Sequence, residues 1–263
     1  MTLLEARGVW FQYPGGPGPV LRGAGLSARG GEVVAVAGPT GSGKSTLLLV
    51  LAGLLAPQRG EVLLDGRPLG AWARRRIGLL FQNPDDMLFN PTVYDEVAYA
   101  LRGLGLGEDE VRRRVEEAAG ELGVGGLLAE RPYRLSVGQK KLVALASVLA
   151  YGPDVLLLDE PFANLDRASA ERLRAAVLRR VEEGAAAVVV THMVDTVLEL
   201  ADRLCLLEAG ALRCLPACRA VAEGVLEATS MRIPVSLRLL VEKLGWGGVA
   251  ELLPRCRGEA AEP

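Results

Sequence analysis

"EVVAVAGPTGSGKSTLLLVLAGLL", residues 32–55, decides the fold. Its opening, EVVAVAG, is a short apolar, β-branched run ending in glycine, which reads as a buried strand entering a loop. Its close, STLLLVLAGLL, reads as a helix. Between them GPTGSGKST, residues 38–46, fits the phosphate-binding pattern of a glycine, four residues and then Gly-Lys-Ser. Glycines let backbone N–H groups turn towards phosphate oxygens, and the helix N-terminus adds its positive dipole end. Gly38, Pro39, Thr40, Gly41, Ser42, Gly43, Lys44, Ser45 and Thr46 are therefore candidate nucleotide-binding residues. Lys44 is placed to reach the β- and γ-phosphates and Ser45 to ligate Mg²⁺. A glycine-rich structural turn is the plain alternative, but it does not account for the strand before and the helix after.

The flanking sequence extends this into an α/β pattern. Residues 2–13 and 19–28 alternate as strands around the turn PGGPG, and EVLLDG and RIGLLFQ read as further strands. From Pro84 to about Ala150 the texture turns helical. TVYDEVAYALRGLG opens with Thr92 and Asp95 spaced as a capping box, and SVGQKKLVALASVLA starts at a serine cap. Strand and helix then alternate again through DVLLLDE, ASAERLRAAVLRRVEEG, AAAVVVTH, MVDTVLELA and DRLCLLEAG. Such alternation predicts a mostly parallel core sheet, with an antiparallel β subdomain at the N-terminus and an inserted helical subdomain. The expected boundaries are a nucleotide-binding domain over 1–217, its helical part at about 84–150, and a helical extension over 218–263 with a frayed end.

Three further motifs carry chemistry. VLLLDE, residues 155–160, is an apolar strand ending in two carboxylates. Asp159 is a candidate for the Mg²⁺ shell, and Glu160, pointing elsewhere by strand alternation, for polarising an attacking water. LSVGQ, residues 135–139, precedes a helix with Ser136 at the cap, which an ordinary N-cap also explains. His192, the only histidine, ends AAAVVVTH at the C-terminal edge of a strand, where open α/β sheets bind ligands.

In order and spacing these pieces resemble the ATPase subunit of ATP-binding-cassette (ABC) transporters, over roughly residues 3 to 215. The resemblance implies the P-loop NTPase fold of ABC ATPases, with ATP and Mg²⁺ as ligands. It makes Gln82 the Q-loop glutamine, sensing Mg²⁺ and water, and LSVGQ the signature. It ends the D-loop ANLD at Asp166, stacks Tyr13 of FQYPG on adenine, and brings His192 to the γ-phosphate. Lys44, Gln82, Glu160 and His192 are then the catalytic set. Two subunits are implied to sandwich two ATPs head to tail, with Ser136, Gly138 and Gln139 serving the partner's nucleotide.

Bulk composition agrees. The 263 residues are half hydrophobic, enough for a sizeable core. A net charge of -2 gives no reason to expect a nucleic-acid partner, and the arginine clusters at 74–76 and 112–114 read as solvated faces. No basic-then-apolar leader is evident at the N-terminus. The longest apolar run, Leu47 to Ala56, falls well short of the roughly 20 residues of a membrane helix. A cytosolic location follows as the expectation. Cys205, Cys214, Cys218 and Cys256 show no complete zinc spacing and read as reduced thiols.

Within the family, FQNPDDMLF after the Q-loop, LSVGQKK and RIPVSLRLLVEKLG look like the energy-coupling-factor ATPases, which include cobalt, nickel and vitamin uptake systems. That implies a transmembrane scaffold docking through arginines at Asp85, Asp86, Met87, Leu88 and Phe89, and a separate membrane protein that binds the substrate. It also implies a peripheral position on the cytoplasmic face of the membrane. The paired aspartates suit the first turn of a short helix capped by Asn83, with Pro84 leading. Met87, Leu88 and Phe89 are not expected all to face inward. Rival readings are a non-transport cassette ATPase of the DNA-repair or chromosome type, whose usual long coiled-coil insertion is missing between Gln82 and Ser136, and a weakly hydrolysing regulatory subunit. The family usually has two glycines where this chain has Val137 and Gly138, so the Val137 side chain is expected to crowd the partner's γ-phosphate. Val137→Gly in the assembled complex should therefore raise ATP turnover, measured as phosphate release; unchanged turnover would remove the crowding.

Overall fold

The computed structural model describes residues 2–225 and 235–253. The chain opens with the antiparallel pair β1 (Leu3–Phe11) and β2 (Leu21–Arg29), then β3 (Val33–Ala37) and α1 (Lys44–Leu51). The hairpin β4 (Arg59–Leu64) and β5 (Arg67–Pro68) follows, then β6 (Ile77–Leu80). Three helices, α2 (Val93–Gly103), α3 (Glu108–Glu121) and α4 (Val137–Ala150), come before β7 (Val155–Asp159). After α5 (Arg167–Glu182) and β8 (Ala186–Thr191) come the pair β9 (Arg203–Glu208) and β10 (Ala211–Pro216). The helices α6 (Ala217–Ala222) and α7 (Val235–Leu252), the latter kinked at Gly245, end the described chain.

Two sheets result. The smaller is antiparallel, in the order β2-β1-β4-β5, and the larger runs β10-β9-β3-β8-β7-β6. In the larger sheet only β10 is antiparallel to its neighbour. The expected mostly parallel core with an antiparallel N-terminal sheet is borne out. β3 shows why a continuous apolar run was needed, because both of its faces are buried. Val34 and Val36 pack with α1 and the small sheet, whereas Val33, Ala35 and Ala37 join the core shared with α2, α3 and α4. β7 divides in the same way, Val155 and Leu157 to one side and Leu156 and Leu158 to the other. The strand order sets β3, β8 and β7 side by side and parallel, so the residues after each strand meet at one edge.

Several local readings change. α1 ends at Leu51 rather than near Leu55, because Gly53 enters the left-handed region at φ 70° and the Leu54 N–H turns back to the Leu49 carbonyl at 2.9 Å. Thr92 does cap α2 by accepting from the Asp95 N–H at 3.1 Å. The reciprocal half of a capping box is replaced, since the Thr92 hydroxyl donates to the Asp95 carboxylate at 2.6 Å. MVDTVLELA forms only a 3₁₀ turn at Val194–Thr196 before further turns. Its apolar residues Val194, Val197, Leu198 and Leu200 are all buried, and the chain must return by Asp202, whose N–H bonds the Val33 carbonyl at 2.9 Å.

The cysteine expectation is overturned as well. Cys205 and Cys214 lie directly opposite in the β9–β10 register and are joined by a disulfide, and Cys218 is also disulfide-bonded. Spacing along the chain bears on metal binding, whereas this pairing arises across a hairpin. Cys256 and the expected frayed end lie outside the described residues.

α4 ties the helical layer to the sheet. Leu145 on it is fully buried in the core that includes Leu156 and Leu158. Leu145→Ala should cost about 2–5 kcal/mol of unfolding free energy, measured by urea denaturation; a loss below 1 kcal/mol (about one methylene's worth) would mean the site is not packed as described.

Candidate active site

The loop after β3 is shaped by the residues predicted to hold phosphate. Gly43 sits at φ 104°, and a Cβ there would lie 2.9 Å from Val20 Cγ1, so only glycine fits. The Lys44 ammonium folds onto its own loop, donating to the Gly38 carbonyl at 2.8 Å and the Pro39 carbonyl at 3.0 Å. The Ser42 hydroxyl is buried with no hydrogen-bond partner among the described residues. The Tyr13 hydroxyl lies 3.2 Å from Thr46 Oγ1, which fixes the aromatic ring beside the start of α1. Phe11 holds that ring edge-to-face, with centroids 4.9 Å apart.

A cleft of about 370 Å³ opens at this sheet edge. Thr40, Gly41, Gly43, Lys44, Ser45 and Thr46 line one side, and Gln82, Asp159, Glu160 and His192 close it. Asp159 accepts a hydrogen bond from the Ser45 hydroxyl. Burial pushes the Asp159 carboxyl up from the ordinary range, and that hydrogen bond with the nearby Lys44 and Lys141 charges pulls it back. Lys44 itself is lowered by burial, against the attraction of Glu160 and Asp159. Ser45, Asp159 and Gln82 offer hydroxyl, carboxylate and amide oxygens, a set suited to a hard divalent cation that also takes oxygens from phosphate and water.

Glu160 is held unusually tightly. Its backbone lies at φ 46°, a conformation non-glycine residues seldom adopt, and its N–H donates to the Val190 carbonyl at 2.9 Å. The Thr191 hydroxyl donates to Oε2 at 2.8 Å, and the His192 N–H to Oε1 at 2.8 Å. His192 Nδ1 lies 2.6 Å from the same Oε1. A carboxylate fixed this way beside the Lys44 ammonium can take a proton from a water in the cleft. Thr191 was not foreseen. Its position just before His192 at the end of β8 is the one signal that would have found it.

Comparison with known proteins settles the family. The ABC transporter family profile matches residues 21–163. The chain belongs to the ABC transporter family. It is 38% identical over 254 residues to the energy-coupling factor transporter ATP-binding protein EcfA of Methanothermobacter thermautotrophicus, covering 90% of this chain and 79% of that protein. The EcfA protein of Methanocaldococcus jannaschii is 41% identical over 210 residues, covering 78% of this chain and 75% of that protein. A solved structure of cbiO1 from Clostridium perfringens, described as part of the ABC transporter complex cbiONQ, superposes with a TM-score of 0.75 at 32% identity. The match covers 90% of this chain and 98% of that one. This ABC ATPase therefore groups with the energy-coupling-factor type, and its reaction is ATP hydrolysis coupled to transport.

Not every predicted site residue reaches the cleft of this ABC ATPase. Tyr13, Gly38, Pro39, Ser42, Ser136, Gly138, Gln139 and Asp166 are absent from its lining. Ser136 and Gln139 instead form a reciprocal capping box at the start of α4, at 3.3 and 2.9 Å. Asp166 caps α5, accepting from the Ser169 N–H and hydroxyl at 2.9 Å each. Val137 is 51% exposed at the same helix start, and Gly138 lies against the Asn164 backbone and the Leu165 side chain. Signature and D-loop thus sit together on an open face, apart from the chain's own phosphate loop. Glu160→Gln should keep ATP binding and ATP-dependent pairing while turnover falls about 10²–10⁴-fold, read by nucleotide binding, size-exclusion chromatography and phosphate release; normal turnover would refute Glu160 as the base.

Proposed function

We propose that this ABC ATPase works as one half of an ATPase dimer on the cytoplasmic face of the cell membrane. There it docks on an energy-coupling-factor transmembrane scaffold and powers uptake of a cobalt or nickel ion or a vitamin, captured by a separate small membrane protein. Among the described residues no helix is long and apolar enough to cross a membrane, so attachment would run through such a partner.

The observation that carries the reading is the turn after Gln82. Pro84–Asp86 forms one 3₁₀ turn capped by Asn83, whose side chain accepts from the Asp85 N–H at 3.2 Å. Met87 and Leu88 pack partly buried against the helical core, so not all three apolar residues face inward, as expected, but the apolar part of the patch is narrower than five docking residues implied. Phe89 alone stands out, 67% exposed, and meets the exposed Tyr99 edge-to-face at 5.0 Å. Two carboxylates beside an exposed aromatic pair suit a helix that presents both arginine and apolar side chains. Asn90 anchors the loop behind them by binding the buried Glu96 carboxylate through its backbone N–H and its side chain.

In this reading Lys44 and the loop amides bind the phosphates, Tyr13 meets the adenine, Glu160 takes the proton of the attacking water and His192 faces the γ-phosphate. Mg²⁺, held by Ser45 with Asp159 and Gln82 around it, would supply charge neutralisation at the phosphates. Ser136, Gly138, Gln139 and Asp166 would complete the partner's site, which fits their open face. The chain divides at about residue 217, and the later segment helps to pair the two ATPases. The exposed leucines 239, 240, 244 and 252 of α7 support that role.

Asp85→Lys with Asp86→Lys should abolish co-purification with the scaffold while ATP binding stays within about twofold. Retained assembly would sink the docking assignment.

A further inference from the structure

The first turn of α4 sends three consecutive polar side chains in three directions. Gln139 closes the cap at Ser136. Lys140 reaches the turn after Gln82, its ammonium 2.6 Å from Asp85 Oδ1, with most of its stem covered. Lys141 goes the opposite way. It is 1% exposed, and its ammonium donates to the Glu160 carbonyl at 2.8 Å and the Ala163 carbonyl at 2.9 Å. Lys140 and Lys141 thus join the Asp85 turn, the signature cap and the backbone of Glu160 through a single helical turn.

Packing alone does not call for a lysine at 141. Its neighbours on the buried side of α4 are Leu142, Ala144, Leu145 and Val148, and an apolar residue would fill the place without taking an ammonium out of water. Burial does push the Lys141 ammonium towards its neutral form, against the pull of Glu160 and Asp159. What the lysine supplies is two directed, charge-assisted hydrogen bonds. They fall on the carbonyl of a residue whose φ is 46° and on Ala163, beside the D-loop residue Asn164 at φ 62°. The Glu160 conformation needs such outside support, whereas an asparagine enters the left-handed region more readily.

We propose that Lys140 and Lys141 form a strut between the docking turn and the Glu160 turn, by which the seated membrane scaffold sets the posture of Glu160. Lys141 is a positioning residue and does not touch nucleotide. Asp85 carries the outer end, with Oδ1 on Lys140 and its other oxygen left to the scaffold. The inference rests on reading residues 84–89 as the docking turn.

The test uses the full transporter complex in lipid vesicles, with the ATPase dimer alone as comparator, and the variants Lys141→Met, Lys141→Arg, Lys140→Met and Lys140→Arg. Lys141→Met should lower kcat by about tenfold or more while KM for ATP moves less than about twofold, and Lys141→Arg should recover most of the loss. Lys140→Met should leave turnover of the ATPase alone within about twofold and still co-purify with the scaffold, yet lose the rate change that the scaffold imposes. Lys140→Arg should restore that response. An unchanged kcat in Lys141→Met, a shift confined to KM, or a full scaffold response in Lys140→Met would overturn the strut. Should Lys141→Met fail to fold, the Lys140 pair decides alone. If the double aspartate reversal leaves assembly intact, the docking reading fails instead, and that result is separate from these.

Discussion

Two ammonium groups and two carboxylates share one buried end of the large sheet, and each is tenable only because the others are there. Lys44, Lys141, Asp159 and Glu160 are all buried. A lone charge at that depth would neutralise itself or unfold its surroundings. Here burial moves Asp159 upward and both lysines downward, and attraction across the group opposes each shift. The strand order makes the arrangement possible. Asp159 and Glu160 end β7, Thr191 and His192 end β8, and the phosphate loop follows β3, so three parallel neighbours deliver the group to one place.

What could be read beforehand was what lies close together along the chain. The phosphate loop is a contiguous pattern between a strand and a helix, and it folds as such. Ser136 caps its helix as expected, and Gln139, three positions on, closes the reciprocal bond that was not expected. Interactions made by distant residues were not legible. Thr191 reaches Glu160 across 31 positions and Lys141 across 19, and neither spacing carries a signal. A lysine among Leu142, Ala144, Leu145 and Val148 on a helical face was a clue of sorts, because its position belongs to the core. The disulfide between Cys205 and Cys214 depends on the pairing of β9 with β10, a short strand whose residues are at most partly buried.

The docking stretch shows how local reading and tertiary packing divide the work. Asn83 and Pro84 behave as cap and first-turn residues should. The inward turn of Met87 and Leu88 depends on a helical core that no short window contains. What remains outside is a narrower face than the sequence suggested: two carboxylates, one already bound to Lys140, and the Phe89–Tyr99 pair.

Lys44 leaves one more consequence. Its ammonium already satisfies two carbonyls of its own loop, so the loop holds its shape without help. An ammonium carries three N–H donors, and two of them are spent on Gly38 and Pro39, so one remains for an anion. Under the proposed function a phosphate would add to a lysine that is already anchored, and the entropy of fixing that long side chain would have been met on folding rather than on binding.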